Sequence, residues 1–234
     1  MVMKTVGLLG GMSWESTILY YQILNQGVRE RLGGLHSAKI IMHSVDFAEI
    51  EQLQVSGRWQ QAGAMLGAAA RGLQQCGADM VLICTNLMHK VAPQVEARID
   101  VPLLHIADAV GRACLARGVT RVGLLGTRYT MEEGFYRDRL RQGFGIEVVI
   151  PEEEERELVH QVIFAELCRG QFTDSSRRAY LRIIERLRGL GAQGVVLGCT
   201  EIPLLIRPEH TDMPLFNTTE LHARYALERM LADE

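Results

Sequence analysis

Apolar positions in this chain follow two rhythms that alternate from one end to the other. Short runs rich in Val, Ile and Leu, bounded by glycine or proline, occupy residues 4–9, 38–45, 77–84, 102–106, 121–125, 146–150 and 194–197, with another opening at Pro214. Runs of this kind predict strands buried on both faces, as in a parallel sheet. Between them lie longer segments with apolar residues every three or four positions. The first follows Ser13 and Ser16, either of which can cap it, through Ile18, Leu19, Tyr21, Ile23 and Leu24. Others cover residues 47–54, 59–75, 107–116, 132–142, 157–169, 174–187 and 220–231, and an acidic, exposed stretch is expected over 151–156. Strands alternating with helices predict an α/β fold with parallel sheets and right-handed crossovers.

The pattern also repeats. Gly77-Ala-Asp-Met-Val-Leu-Ile-Cys-Thr-Asn86 returns as Gly191-Ala-Gln-Gly-Val-Val-Leu-Gly-Cys-Thr200, setting Thr85 against Cys199. Val6-Gly-Leu-Leu-Gly10 returns as Val122-Gly-Leu-Leu-Gly126, which carries Tyr20 onto Tyr136, and Val101-Pro-Leu-Leu104 matches Met213-Pro-Leu-Phe216. Three blocks in one order at nearly constant spacing indicate internal duplication. The expected architecture is two similar Rossmann-like αβα half-domains, residues 1–117 and 118–234, related by pseudo-two-fold duplication. The active site is expected in the cleft between them, and the C-terminal helix can pack back on the first half.

Composition changes this picture little. With 234 residues, 47% hydrophobic and 23% charged, the chain can bury a sizeable core. A net charge of −3 gives no reason to expect nucleic acid or an anionic membrane as partner. No apolar run approaches the roughly 20 residues that span a bilayer. Five cysteines (Cys76, Cys84, Cys114, Cys168, Cys199) show neither CxxC nor metal-ligand spacing, which fits a reducing cytoplasm and no metal. Gly10-Gly11 ends a strand before a helix, but there is no G-x-G-x-x-G or Walker lysine to argue for a nucleotide.

Chemistry concentrates at the carboxyl ends of the repeated strands, where open α/β sheets form their ligand crevices. Cys199 and Thr200 occupy one such end, Thr85 and Asn86 the equivalent end in the other half. Two proton-transfer groups on opposite sides of a small ligand suit racemisation, in which one removes the α-proton and the other returns a proton from behind. Neighbouring strand residues point to opposite sides, so only one of Cys84 and Thr85 can face the ligand. The repeat selects Thr85 and leaves Cys84 as a buried thiol. Cys76, Cys114 and Cys168 fall on expected helices and read as packing residues. His89 and His222 read as hydrogen-bonded structural histidines.

The strings Gly7-Leu-Leu-Gly-Gly-Met-Ser-Trp-Glu-Ser-Thr17, His43-Ser-Val-Asp-Phe47, Cys84-Thr-Asn-Leu-Met-His89, Leu125-Gly-Thr-Arg-Tyr-Thr-Met131 and Gly198-Cys-Thr-Glu-Ile202 span essentially the whole chain. In them the sequence resembles the aspartate/glutamate racemase family, and most of all its bacterial L-aspartate/glutamate-specific branch. The resemblance implies an amino-acid racemase without organic cofactor, acting on a small acidic amino acid, in a family whose members commonly form homodimers. It implies Cys199 and Thr85 as the catalytic pair. Thr85 stands where the wider family carries a second cysteine, as it also does in the close branch. A thiol can reach its anion near neutral pH and an alcohol cannot, so a slow enzyme, unequal between enantiomers, is expected. The implied substrate-binding set is Met12 through its main chain, Gln54, Asn86, Leu87, Thr127 and Thr200. Gln54 reads equally as an exposed helical glutamine. Leu87 replaces a family threonine, and losing one donor to a carboxylate costs roughly 1.5–3 kcal/mol. That favours a more apolar side chain than aspartate's. A single-cysteine decarboxylase or isomerase of a small dicarboxylic acid, and a non-catalytic amino-acid-binding relative, are the alternatives.

Overall fold

The computed structural model describes residues 2–232. The first part of the chain runs β1 (Val6–Gly10), α1 (Trp14–Leu32), β2 (Ile40–Ser44), α2 (Phe47–Val55), α3 (Trp59–Gln75) and β3 (Met80–Ile83). A 3₁₀ turn (Leu87–Val91), α4 (Ala92–Glu96) and α5 (Ile106–Leu115) follow. Next come β4 (Arg121–Leu125), α6 (Arg128–Glu132), α7 (Gly134–Phe144), β5 (Glu147–Val149), α8 (Glu153–Ala165) and α9 (Asp174–Gly189). The last elements are β6 (Val195–Leu197), α10 (Ile202–Leu205), β7 (Leu215–Asn217) and α11 (Thr218–Leu231). All strand pairs are parallel, in the orders β2-β1-β3 and β5-β4-β6-β7. The fold is therefore the expected α/β class with two parallel sheets.

The chain forms two compact units. One holds the chain up to Ile106 and again from Thr219, the other Ala107–Thr218. Set beside the division expected at residue 117, the chain passes between units at Ile106–Ala107 and at Thr218–Thr219. In the first unit, α11 packs Ala223, Ala226, Leu227 and Met230 against Val6 and Leu8 of β1 and Tyr20, Leu24 and Val28 of α1. The other face of the same sheet carries α2, α3 and α4, through Ile50, Leu66, Ala70, Leu73 and Val95. Glycines and alanines on α3 let it approach closely, with Gly67 lying against Arg98 and the Gln94 carbonyl.

The repeat in the sequence recurs in hydrogen bonds inside each unit. The Asp79 N–H donates to the Thr5 carbonyl at 2.8 Å, and Gln193 to Arg121 at 2.9 Å. Cys84 to Leu9 (2.9 Å) is matched by Gly198 to Leu125 (2.6 Å), and Val81 to Pro102 (3.0 Å) by Val195 to Pro214 (2.8 Å). Gly77 and Gly191, which turn the chain from α3 into β3 and from α9 into β6, have φ of 98° and 87°, a region that only glycine enters without strain.

Three local expectations are corrected. Residues 102–106 form a single bridge, Val81 with Leu103, and not a strand, because the chain has already turned into α5 at Ile106. The acidic stretch 151–156 is mostly the first turn of α8, where Glu153, Glu154 and Glu155 meet the positive end of the helix dipole. Cys76, which ends α3, and Cys168, in the 3₁₀ turn Leu167–Arg169, are exposed and not packed, whereas Cys114 is buried as expected.

Candidate active site

In the first unit the tip of β1 is a tight turn stitched to the helix it feeds. Thr17 accepts the Gly11 N–H at 2.9 Å and donates to the Ser13 carbonyl at 3.0 Å, while Ser13 caps α1 by accepting from the Ser16 N–H. A side chain at Gly11 (φ 89°) would run into the Val45 backbone, so this turn is closed to anything but glycine. The arrangement fixes the main chain of Met12, whose side chain is buried among Val45, Ile50 and Met88.

At the tip of β3 the two neighbours part as alternation requires. Cys84 is fully buried among Leu8, Leu82 and Leu104, and that burial pushes its thiol far up from its ordinary value. Thr85 is half-buried. Its carbonyl is held at 2.8 Å by His89 Nδ1, and the other ring nitrogen, Nε2, accepts the Ile106 N–H at 3.2 Å. The two bonds fix the neutral tautomer with the proton on Nδ1. Burial first, then His105 and His222 alongside, hold the pKa of His89 well below its ordinary value. His222 is used in the same way. Its Nε2–H donates to the Leu104 carbonyl at 2.7 Å, and Nδ1 accepts from the Tyr20 hydroxyl at 2.8 Å. Both histidines are structural, as expected, and His89 sets the orientation of the Thr85–Asn86 turn. Gln54 is half-buried and not the exposed helical glutamine of the alternative, and its amide lies 3.0 Å from Met88 Sδ, tying α2 to the turn that carries Leu87. Asn86 is buried and Leu87 half-buried. Met12, Gln54, Thr85, Asn86 and Leu87 therefore all belong to the strand-end region of the first sheet.

The second unit gathers the remaining positions. Thr127 follows β4 and caps α6, accepting the Thr130 N–H, with its hydroxyl 3.1 Å from that of Thr130. The Gly126 turn abuts Gly198, since a Cβ on Gly126 would lie 3.0 Å from the Gly198 carbonyl. The turn that leads into Thr127 therefore lies against the tip of β6. At the tip of β6, Cys199 and Thr200 both point a proton at one oxygen of Glu201. The thiol lies 2.9 Å and the hydroxyl 2.7 Å from Oε2. Enclosure of the sulfur, followed by the charge of Glu201, raises the Cys199 thiol well above its ordinary value. The free protein thus holds Cys199 as the thiol, not as the thiolate that a lowered pKa would give. Glu201 is the functional candidate that residue-by-residue reading passed over, although it sits inside the quoted Gly198-Cys-Thr-Glu string.

The tip of β6 thus sets a thiol against a carboxylate at the end of a parallel sheet. The family described as Asp/Glu/Hydantoin racemase matches residues 9–226. The chain belongs to the Asp/Glu/hydantoin racemase family. The crystal structure of a candidate Asp/Glu racemase from Yersinia pestis is similar at 53% identity and a TM-score of 0.94, over 98% of this chain and 100% of that one. An aspartate racemase homologue from Pyrococcus horikoshii OT3 is similar at 35% identity and a TM-score of 0.87, again over 98% and 100%. The glutamate racemase of Shewanella loihica is 27% identical over 132 residues, 56% of this chain and 48% of that enzyme, so the match spans about half of its length. The enzyme class that the family and these relatives support is an amino-acid racemase, an isomerase. Among the described residues no helix is long and apolar enough to cross a membrane.

Proposed function

We propose that the protein interconverts the L and D forms of a small acidic amino acid, aspartate or glutamate, by removing and returning the Cα proton. Cys199 acts at one face of Cα and Thr85 at the other. The observation that carries this reading is the tip of β6, where a thiol that can transfer protons sits against a carboxylate in a chain of this family. Thr85 occupies the equivalent position after β3, and the turn around it is fixed through its own carbonyl. The substrate carboxylates are held by Asn86, Thr127 and Thr200 together with the Met12 main chain, with Gln54 and Leu87 bordering the side chain. The resting thiol favours proton donation from the Cys199 side, and an alcohol opposite it is a poor base. Turnover is therefore slow and differs between enantiomers. No organic cofactor enters the scheme.

The test is proton NMR of L- and D-aspartate and of L- and D-glutamate in D₂O, followed over hours. Wild type is expected to exchange the α-proton of one enantiomer faster than that of the other. Cys199→Ala should lower exchange by at least about a hundredfold, the smaller end of what a positioned acid–base group contributes. Thr85→Cys should accelerate exchange from the slower enantiomer. Equal rates for both enantiomers, untouched by Cys199→Ala, would end the proposal.

A further inference from the structure

The strand-end turns of the two repeats are held by different acceptors. After β1, the Gly11 N–H donates to Thr17 of α1 at 2.9 Å, so a helix of 19 residues stitches its own entry. After β4 the equivalent turn leads into α6, which has five residues. A helix that short is not stable by itself in water, so its geometry is set by what it packs against. Its own cap is local, with Thr127 accepting the Thr130 N–H at 3.4 Å. The outside partner is α8. Arg156 Nε holds Glu132, the last residue of α6, at 2.9 Å, and Glu157 takes the Arg128 guanidinium at 3.4 Å. A turn further along α8, His160 Nδ1 accepts the Arg128 N–H at 3.4 Å. His160 is half-buried, its ring edge-on to Phe164 with centroids 4.9 Å apart and to Tyr129 of α6 at 6.5 Å. The side chains of the Arg128–Glu157 pair are 52% and 43% exposed, and ion pairs this open to water contribute little. The directional hold on the first residue of α6 therefore falls to the imidazole.

Resting on the racemase reading, we infer that His160 is a positioning residue for substrate binding: its neutral imidazole fixes the Arg128 amide, and with it the Thr127 turn that holds a substrate carboxylate. His160 belongs to α8 and does not take part in the proton transfers, so its effect falls on substrate affinity. With the Arg128 N–H accepted at Nδ1, the ring's own proton lies on Nε2. A second proton has to go on Nδ1, and the acceptor is then lost. The charged and titratable groups about the ring are Arg156 and Glu157 on its own helix and Arg128, Tyr129 and Glu132 on α6. Burial is the largest influence and holds the pKa of His160 below the ordinary 6.5, with Glu157 and Glu132 opposing it and Arg128 adding to it. The acceptor is therefore present at neutral pH and is withdrawn only as pH falls below 6.5. Released from His160, the short helix takes more than one arrangement. Only the competent fraction binds substrate, which raises the apparent KM by the inverse of that fraction.

Two substitutions separate this role from simple packing. His160→Phe keeps a ring of similar size and removes the acceptor at every pH. His160→Asn keeps an acceptor, its amide oxygen, at about the same reach from the backbone, and does not titrate. KM and kcat are measured from initial rates of α-proton exchange in D₂O with L-aspartate and with L-glutamate, from pH 5.5 to 7.5, and folding is checked by circular dichroism. At pH 7.5 His160→Phe is expected to raise KM about three- to tenfold, the worth of one ordinary hydrogen bond, with kcat within about twofold of wild type. His160→Asn should recover most of that affinity. At pH 5.5 the wild-type KM should climb toward that of His160→Phe, while that of His160→Asn stays level. A loss confined to kcat overturns the inference, and so does a wild-type KM that follows the same pH course as that of His160→Asn. If His160→Phe does not fold, the comparison of wild type with His160→Asn across pH decides alone. A wild type that exchanges no α-proton overturns the racemase reading and this inference with it. An active wild type whose KM at pH 7.5 equals that of His160→Phe overturns the inference only.

Discussion

His222 joins three pieces of the first unit with one ring: α11, which carries it, α1 through the Tyr20 hydroxyl, and the Leu104 carbonyl ahead of α5. All of these groups are buried, so deleting the ring breaks both bonds where water cannot reach. His222→Phe is expected to cost about 2–6 kcal/mol, at about 1–3 kcal/mol for each of the two groups that lose the ring. Adding Tyr20→Phe should recover part of that loss, because the stranded phenol is removed with it. Urea denaturation of the two single variants and the double variant measures both effects, and strict additivity would show that the bond contributes nothing. The burial of Cys84 beside a half-buried Thr85 was legible from sequence, because the period of two separates the neighbours and the repeat selects Thr85 as the outward one. Glu201 was missed because a turn has no period, and nothing in spacing alone says which way a side chain two positions past a cysteine will fold back.

At the level of elements, rhythm was enough wherever burial was one-sided or complete. The boundaries of α3 and β4 in the structure are those the periodicity gives. Where backbone geometry decides, rhythm failed. The 3₁₀ turn Leu87–Val91 and helices α4 and α10 are single turns held by their neighbours, and the expected helix over 132–142 is divided near Glu133 into α6 and α7. The packing of α1 on α11 gives a test at this scale. A Cβ at Gly27 would overlap the tip of the Leu227 side chain, which is buried among Val6, Leu24 and Met80. Alanine is intrinsically better in a helix by about 1 kcal/mol, but overpacking costs about 1–3 kcal/mol, so the steric effect decides the sign. Gly27→Ala is expected to destabilise by about 1 kcal/mol net of these two effects. Leu227→Ala alone should cost about 2–5 kcal/mol, and the double variant less than the sum, because the new methyl fills part of the cavity. Thermal melting of the three variants reads this coupling. A stabilising Gly27→Ala would mean that α11 does not press on α1 as described.

Across the whole molecule the two units carry different titratable burdens. In the first, His89 is buried neutral, with its folded pKa depressed below the ordinary 6.5. As pH falls below 6.5 the unfolded chain takes up a proton that the folded unit refuses, so stability present above 6.5 is lost on the acid side. The loss approaches about 1.4 kcal/mol per pH unit for each such proton. In the second unit Cys114, raised by burial to about 12, joins Cys199 and the buried Tyr136 and Tyr180, all held above their ordinary values. Unfolded thiols ionise from about pH 9 upward and phenols from about pH 10, while the folded groups do not. Their stabilising contribution is therefore complete below pH 9 and is lost as pH rises. Cys84 adds one such group to the first unit. Stability should be greatest between about pH 6.5 and 9. The first unit should be the weaker on the acid side, because its depressed histidine, His89, is buried, whereas His160 of the second unit, also depressed by burial, is only half-buried. The second unit should be the weaker on the alkaline side. The sequence supplies a reporter, since Trp14 and Trp59, its two tryptophans, both lie in the first unit. Urea unfolding followed by tryptophan fluorescence is expected to run ahead of far-ultraviolet circular dichroism at pH 5.5 and behind it at pH 10. Coincident curves at both pH values would mean that the units unfold as one. The reverse order would mean that the buried histidine and thiols do not govern the stability of the units that contain them.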